Sequence, residues 1–213
     1  MGGIQLYQLL LLFALGGAVY LVYLRGNRKN KELIKTISSE LELAVNPVEK
    51  VYKNLGGTIG YRAFYERKGI FNRVVAVFTT LPRHSIIVYP FHLIFRGHDK
   101  LQLNAYSQKD ISPNFLFVRD GIRYNNLHQR YKNRGMSIEN YNFKSIRFVM
   151  YYDDEYSHEI CEEILKVFDP RFLVAIGANP ENRVFYLYCI PVKGKIEPMV
   201  RHFLSHIKQY VIK

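Results

Sequence analysis

Residues 4–24, with the sequence IQLYQLLLLFALGGAVYLVYL, place the strongest constraint on how this chain can fold. The stretch has no charged side chain, and about 20 apolar residues in a helix span the roughly 30 Å hydrocarbon core of a bilayer. Tyr7 lies near one end, and Tyr20 and Tyr23 lie near the other, where aromatic rings favour the headgroup region. The sequence therefore predicts a single membrane-spanning helix within an anchor formed by residues 1–26.

The residues that follow this stretch directly are strongly basic. Four of them lie within about two helical turns, namely Arg25, Arg28, Lys29 and Lys31. Before the stretch, only the α-amino group carries charge. Basic residues remain on the cytoplasmic side of a membrane-spanning helix, so we expect residues 27–213 to lie in the cytoplasm. The same four side chains are the predicted binding site for anionic lipid headgroups.

Two other interpretations of residues 4–24 agree less well with the pattern. A cleaved signal peptide has basic residues before its apolar core and a small-residue cleavage site after it, whereas here the basic residues follow the apolar stretch. A buried helix of a soluble domain is usually amphipathic, and this stretch is apolar on all sides. Gly16, Gly17 and Ala18 form a patch where another membrane helix could pack, although a membrane helix also tolerates glycine without such a partner.

The remaining residues, 27–213, are predicted to form one α+β domain with helices packed on an antiparallel or mixed sheet. Apolar patterns predict strands at residues 58–67, 74–81, 100–106, 115–118, 144–152, 171–177 and 183–190. Apolar stripes and capping residues predict helices at residues 31–45, 47–54, 123–132 and 154–168, and from residue 198 onward. Residues 82–99 are expected to be irregular or briefly helical, because prolines and a glycine interrupt them.

Charge is the strongest indication of a binding partner. The 213 residues are 48% hydrophobic and 23% charged, which argues against wholesale disorder. The net charge of +12 predicts polyanionic neighbours, either lipid headgroups or RNA, unless the charge serves only solubility. Residues 119–134 mix arginine with tyrosine and asparagine, a combination that binds phosphates and stacks on bases. The predicted polyanion-binding residues are Arg119, Arg123, Arg130, Lys132 and Arg134.

Patterns for catalysis or metal binding are weak. His202 and His206 have the i, i+4 spacing of a zinc site, but no glutamate follows His202. His158 and Cys161 lie one helical turn apart, and nothing in their spacing supplies the third group that orients a Cys–His pair. The two cysteines, Cys161 and Cys189, lack C-x-x-C spacing. We therefore predict no catalytic residue, no metal and no cofactor.

The order of these parts resembles a known family. The sequence has one membrane helix, a basic exit (GNRKNKELI), an amphipathic helix before a glycine pair, and a strand-rich domain. It closes with a strand running into proline (RVFYLYCIPV) and a final helix (EPMVRHFLSHIKQYV). This arrangement is similar to the core of the calumin family, the single-pass coiled-coil-domain subunits of the PAT complex of the endoplasmic reticulum. Members of that family work beside the Sec translocon and the ribosome, in a chaperone for multipass membrane proteins.

The resemblance implies a compact, archaeal-type relative with translocon subunits and ribosomal RNA as partners. The acidic lumenal segment of the family has no counterpart before residue 4, so calcium binding is not carried over. The long charged coiled coil of the family likewise has no counterpart after the last helix, which leaves the ribosome contact without its main element.

Two functions follow as expectations. The first is a non-enzymatic, membrane-anchored scaffold or chaperone subunit in membrane-protein biogenesis, without a small-molecule substrate. The alternative is a membrane-surface lipid-binding protein or enzyme whose pocket is formed by residues 82–97, with His84 or His92 at its mouth. A deep pocket with convergent polar groups would favour the alternative, and a solid core with a flat basic face would favour the scaffold.

Overall fold

The computed structural model describes residues 6–95, 97–132 and 135–212 of the chain. Its first element is helix α1, Leu6–Val45, which runs without interruption from the apolar stretch into the amphipathic one. The apolar stretch and the predicted helix at residues 31–45 thus form one continuous helix. Asn46 follows in the left-handed region, with φ of 49°, and Pro47 disfavours helical geometry at the residue before it.

The two halves of α1 have opposite environments. The side chains from Tyr7 to Leu24 are all exposed, whereas Ile37, Leu41 and Val45 are completely buried. By length and composition, α1 is the one helix among the described residues that could cross a membrane. Its first half therefore has the character of a membrane span, and its second half is a core helix of the domain.

Nine strands of the described chain form one sheet. They are β1 (Glu49–Asn54), β2 (Gly60–Glu66), β3 (Phe71–Thr79), β4 (Lys100–Ser107), β5 (Phe115–Arg119), β6 (Ser137–Phe143), β7 (Ile146–Tyr152), β8 (Leu173–Asn179) and β9 (Val184–Cys189). Their spatial order is β1-β2-β3-β4-β9-β8-β5-β7-β6, and all neighbouring strands are antiparallel. The predicted α+β class is confirmed, and the sheet is antiparallel rather than mixed.

Helices cover both faces of this sheet. The four helices after α1 are α2 (Val88–Phe95), α3 (Asn125–Lys132), α4 (Glu155–Leu165) and α5 (Ile196–His206). On strand β5, Phe115 and Phe117 join the core beneath α1, α4 and α5, whereas Leu116 and Val118 join a second core beneath α3. Side chains alternate between the two faces of a strand, so β5 is buried on both sides.

Glu40 joins α1 to α5. Its Oε1 accepts a hydrogen bond from Gly194 N at 2.7 Å, and its Oε2 accepts one from Ile196 N at 2.9 Å. In return, Arg201 on α5 donates from its guanidinium to Leu43 O at 3.1 Å. The carboxylate thus satisfies N–H groups at the positive end of α5, which the helix itself leaves without partners.

Two segments differ from their predicted structure. The sequence predicts a helix at residues 47–54, but they contain β1, which pairs with β2 from Glu49↔Glu66 to Asn54↔Tyr61. Every β1 side chain is exposed, so no buried face produces an alternating apolar pattern. The polar edge strand β6 is not predicted either, because its alternate residues Glu139, Tyr141 and Phe143 are only half-buried, and its pairing with β7 makes it a strand.

Candidate membrane-facing site

The apolar half of α1 meets the domain at a cluster of four residues, here termed the junction: Gly26, Asn30, Arg83 and Asp99. Asn30 is completely buried. Its Nδ2 donates to Leu81 O at 2.8 Å, and its Oδ1 accepts from the Arg83 guanidinium at 3.0 Å. Asparagine is a weak helix former, and burying its amide is costly unless the amide is hydrogen-bonded. Here the loop after β3 supplies the partners.

Arg83 and Asp99 form the charged part of the junction. The guanidinium makes two hydrogen bonds to the carboxylate, at 2.8 and 2.7 Å, and the side chains are only 14% and 12% exposed. Asp99 Oδ1 also accepts from Leu81 N at 2.7 Å. Burial acts to lower the pKa of Arg83, but the hydrogen bonds and charge of Asp99 outweigh it and raise the pKa. Arg83 therefore stays charged and fixed in position.

Gly26 allows the loop after β3 to lie directly on α1. A Cβ atom at this position would lie 2.2 Å from Arg83 O and 2.6 Å from His84 N, so any other residue would force the two segments apart. Close by, the ring of Tyr23 contacts His84 edge-on, with 6.0 Å between ring centroids. The loop thus packs against α1 where the apolar stretch ends.

Two of the four predicted headgroup-binding residues, Arg25 and Lys29, lie beside this contact. Arg25, Arg28, Lys29 and Lys31 are all exposed. An open cavity of about 270 Å³ beside them is lined by Val22, Arg25, Gly26, Lys29, Arg83 and Tyr89. The fold therefore brings Arg83 and Tyr89, which are distant in sequence, next to Arg25 and Lys29. Sequence patterns could not predict this, because the basic exit and the loop after β3 meet only in the tertiary structure.

Helix α2 follows this loop and carries its apolar side chains outward. Ile87, Phe91, Ile94 and Phe95 are 72%, 58%, 65% and 73% exposed. No side chain of α2 is buried. Neither His84 nor His92, predicted at the mouth of a pocket, lines the cavity beside α1. The dominant feature of residues 82–97 is an exposed apolar helix.

Only part of the predicted polyanion-binding segment has a described environment. Arg134 lies outside the described residues, as do the side chains of Arg130 and Lys132. Arg119 is half-buried, and its guanidinium donates to the carbonyl groups of Pro170 and Arg171. The Arg123 guanidinium donates to Ile94 O, at the end of α2, at 2.8 Å. Polyanion binding by this segment stays a prediction.

The histidines of α4 and α5 contact other side chains of the protein, and both cysteines are buried. The rings of His202 and His206 stack with 6.5 Å between centroids, and His158 Nε2 lies 3.0 Å from Glu139 Oε2. Cys161 and Cys189 are buried, which raises the pKa of both thiols. Among the described residues, no three histidine, cysteine or acidic side chains are grouped so that they could hold a metal ion.

Fold and site together define an α+β protein with a nine-stranded antiparallel sheet and one N-terminal helix long and apolar enough to span a membrane. Comparison with models of known protein families and with curated protein sequences returned no match. The resemblance to the calumin family stays a prediction.

Proposed function

We propose that this is a single-pass membrane protein whose α+β domain acts as a non-enzymatic scaffold at the machinery that inserts membrane proteins. The continuity of α1 carries the proposal. Its side chains from Tyr7 to Leu24 are exposed and apolar, as a bilayer requires, while Ile37, Leu41 and Val45 of the same helix lie in the domain core. The anchor is therefore a direct extension of a core element.

The junction supports a scaffold because it holds the domain at a fixed position relative to the anchor. A glycine- or serine-rich linker would let a domain move freely away from the membrane. Here Gly26 and Asn30 are instead buried against the loop after β3. A domain attached in this way presents a constant surface to neighbouring membrane proteins, which is the property a scaffold needs.

Charge supports the proposed side of the membrane and the proposed partners. Arg25, Arg28, Lys29 and Lys31 directly follow the apolar half of α1, the arrangement typical of a cytoplasmic exit. The net charge of +12 suits a neighbour rich in phosphate, such as ribosomal RNA or anionic lipid. The resemblance to the calumin family favours the translocon and the ribosome among such neighbours.

Affinity purification tests the scaffold proposal. The full-length protein is recovered from gently solubilised membranes, and its partners are identified by mass spectrometry. The control bait carries residues 1–26 fused to an unrelated soluble domain, which separates partners of the anchor from partners of the α+β domain. We expect translocon subunits and ribosomal proteins to be enriched over this control. Equal amounts with both baits would refute the proposed partners.

The cavity beside α1 favours a second candidate function, the binding of an anionic lipid headgroup. Arg25, Lys29, Arg83 and Tyr89 line this cavity together, and Asp99 pairs with Arg83. Phospholipids that copurify with the detergent-solubilised protein provide the measurement. We expect the double variant R25Q/K29Q to lose anionic lipid. The matched variant R62Q, which removes an exposed charge on β2 outside the cavity, should retain it.

A further inference from the structure

We propose that Ile86–Phe95 is a second membrane contact, which inserts its apolar side into the boundary between headgroups and acyl chains of the bilayer that α1 crosses. The inference rests on the membrane anchoring in the proposed function, and it adds an interaction surface that anchoring alone does not require. The partner of this surface is lipid, and α2 is the element that contacts the lipid.

The first observation is the direction of the apolar side chains. Phe91, Ile94 and Phe95 follow the i, i+3, i+4 spacing of one face of α2, Ile87 directly precedes the helix, and all four side chains point away from the protein. The less exposed residues of the same helix are Tyr89 and His92. A helix on the surface of a water-soluble domain has the opposite arrangement, with its apolar stripe on the core.

The second observation is the position of α2, which identifies lipid as the occupant. The loop that leads into α2 crosses α1 at Gly26, and His84 contacts Tyr23. Tyr89, in the first turn of α2, lines a cavity together with Val22. The apolar surface of α2 therefore begins beside the end of the apolar half of α1. Since lipid must cover α1 there, the same lipid lies within reach of α2.

The third observation is that hydrogen bonds fix both ends of α2, one within the loop before it and one from Arg123 of the domain. At its start, Val88 N donates to Ser85 Oγ at 3.2 Å. At its end, the Arg123 guanidinium donates to Ile94 O, a carbonyl group that the helix leaves without a partner. Interfacial helices combine an apolar face with neighbouring cations that contact headgroup phosphates. Here Arg25 and Lys29 of α1 are such neighbours, because they line the same cavity as Tyr89 of α2.

Depth-dependent quenching in reconstituted vesicles tests this inference. Full-length protein is incorporated into vesicles of phosphatidylcholine and phosphatidylserine, with a fluorophore on a single introduced cysteine. The native thiols of Cys161 and Cys189 are buried in the fold. The labelled variants are I87C and F91C in the proposed contact, L11C in the anchor, and I138C as an exposed apolar control on edge strand β6. Lipids carry a spin label either near the headgroup or near the bilayer centre.

We expect positions 87 and 91 to be quenched more strongly by the label near the headgroup, and position 11 more strongly by the label near the bilayer centre. Position 138 should be quenched by neither. If position 11 is quenched but positions 87 and 91 are not, the anchor stands and the second membrane contact is refuted. If position 11 is not quenched either, the proposed anchoring fails as well.

One further outcome concerns protein as the occupant. If the fluorophores at positions 87 and 91 report an apolar environment but are not quenched by either lipid label, a second copy of the chain covers α2, and the inference is overturned. Dilution of the protein in lipid separates these cases, because burial against a second copy decreases on dilution whereas insertion into lipid does not. Circular dichroism of each labelled variant verifies that the domain is folded.

Discussion

Asn30 lies inside a 40-residue helix, at a position where asparagine is normally unfavourable. Its amide is nevertheless buried, because Leu81 O accepts from it and Arg83 donates to it. Arg83 in turn requires Asp99, whose carboxylate is the only negative group paired with it among the described contacts. At the scale of single residues, the attachment of the apolar half of α1 to the domain depends on this chain of mutual hydrogen bonds.

Replacing Asp99 with asparagine should therefore destabilise the protein markedly. The variant D99N keeps the size of the side chain but leaves the Arg83 charge without a counterion in a site that is only slightly exposed. Breaking such a pair typically costs about 3 kcal/mol of unfolding free energy. Urea denaturation of the purified protein provides the measurement. The control is D110N, which breaks the exposed Asp110–Arg183 pair and should cost about 0.5 kcal/mol or less. Similar losses in both variants would contradict a structural role for the junction.

His98 is a second residue whose surroundings make a prediction possible. Its Nδ1–H donates to Asp99 O at 2.7 Å, and its Nε2 accepts from the Tyr124 hydroxyl at 3.1 Å. Burial lowers the pKa of His98, the Asp99 carbonyl partly offsets this, and nearby positive charges, including Lys100, lower it further. The neutral ring is therefore the form that the folded protein favours.

Stability should consequently decrease as the pH falls below about 6.5, the usual value for histidine. Because the folded-state pKa of His98 is lower than the unfolded-state pKa, the unfolded chain binds more protons in this window, and unfolding free energy rises with pH. We expect the variant H98Q to lose less stability than the parent between about pH 7.5 and pH 5. Denaturation at several pH values measures this. An H98Q slope equal to that of the parent would contradict the prediction.

At the scale of elements, α1 and α5 form one unit through Glu40. The side chain of one helix caps the other, while Arg201 on α5 binds a carbonyl group near the end of α1. Both helices also contribute to the same core, with Ile37 and Leu41 from α1 and Phe203 from α5 completely buried. The position of α5 therefore depends on α1.

The variant E40A should destabilise the domain by about 1–2 kcal/mol, the usual cost of losing a cap together with a favourable charge at a helix N-terminus. E40Q should lose less, since its amide oxygen still accepts a hydrogen bond. E32A serves as the control, because Glu32 is exposed and its ion pair with Lys193 is long, at 4.0 Å. Thermal denaturation compares the three variants, and equal effects of E40A and E32A would show that Glu40 does not join the helices.

At the scale of the whole molecule, the boundary of the folded domain lies inside α1. Gly26 and Asn30 are buried, and Ile37, Leu41 and Val45 belong to the main core. Everything before residue 25 is exposed to its surroundings among the described residues. The domain thus includes about half of α1.

Two truncations should therefore behave differently. A chain that begins at Arg25 keeps the junction and the core, so it should unfold cooperatively at a temperature close to that of the full protein. A chain that begins at Asn46 lacks three completely buried apolar side chains, each worth about 2–5 kcal/mol, against a total stability of about 5–15 kcal/mol. It should not fold. Reaction of the buried thiols of Cys161 and Cys189 with a maleimide reports this, since only an unfolded chain exposes them. Slow labelling of the shorter chain would contradict the prediction.

The secondary structure was predictable where local pattern and burial agree. Strands β2, β3, β4, β7, β8 and β9 follow their apolar patterns because one or both faces are buried. Asp154 caps the N-terminus of α4 and accepts a hydrogen bond from Ser157 N at 2.8 Å. The edge strands β1 and β6 escaped prediction because β1 is fully exposed and β6 is half-buried only at alternate residues, so hydrogen bonds to a neighbouring strand define them.

The candidate site was only half predictable. The sequence could indicate Arg25, Arg28, Lys29 and Lys31, because they directly follow the apolar stretch whatever the fold of the domain. The contribution of Arg83 depends on the long-range contact of its loop with Gly26, which no local pattern contains. The partners of Arg119 and Arg123 likewise lie on other segments, so a count of basic residues could not indicate their contacts.

The sequence by itself determined that one helix is long and apolar enough to cross a membrane, that a basic exit follows it, and that the rest is an α+β domain. Each of these depends on composition or periodicity within a short window, where hydrophobic burial acts locally. Only the tertiary structure decided the strand order, the contact of the loop after β3 with α1 at Gly26, and the outward apolar face of α2. These features arise from contacts between residues far apart in the chain, and such contacts leave no periodic pattern in the sequence.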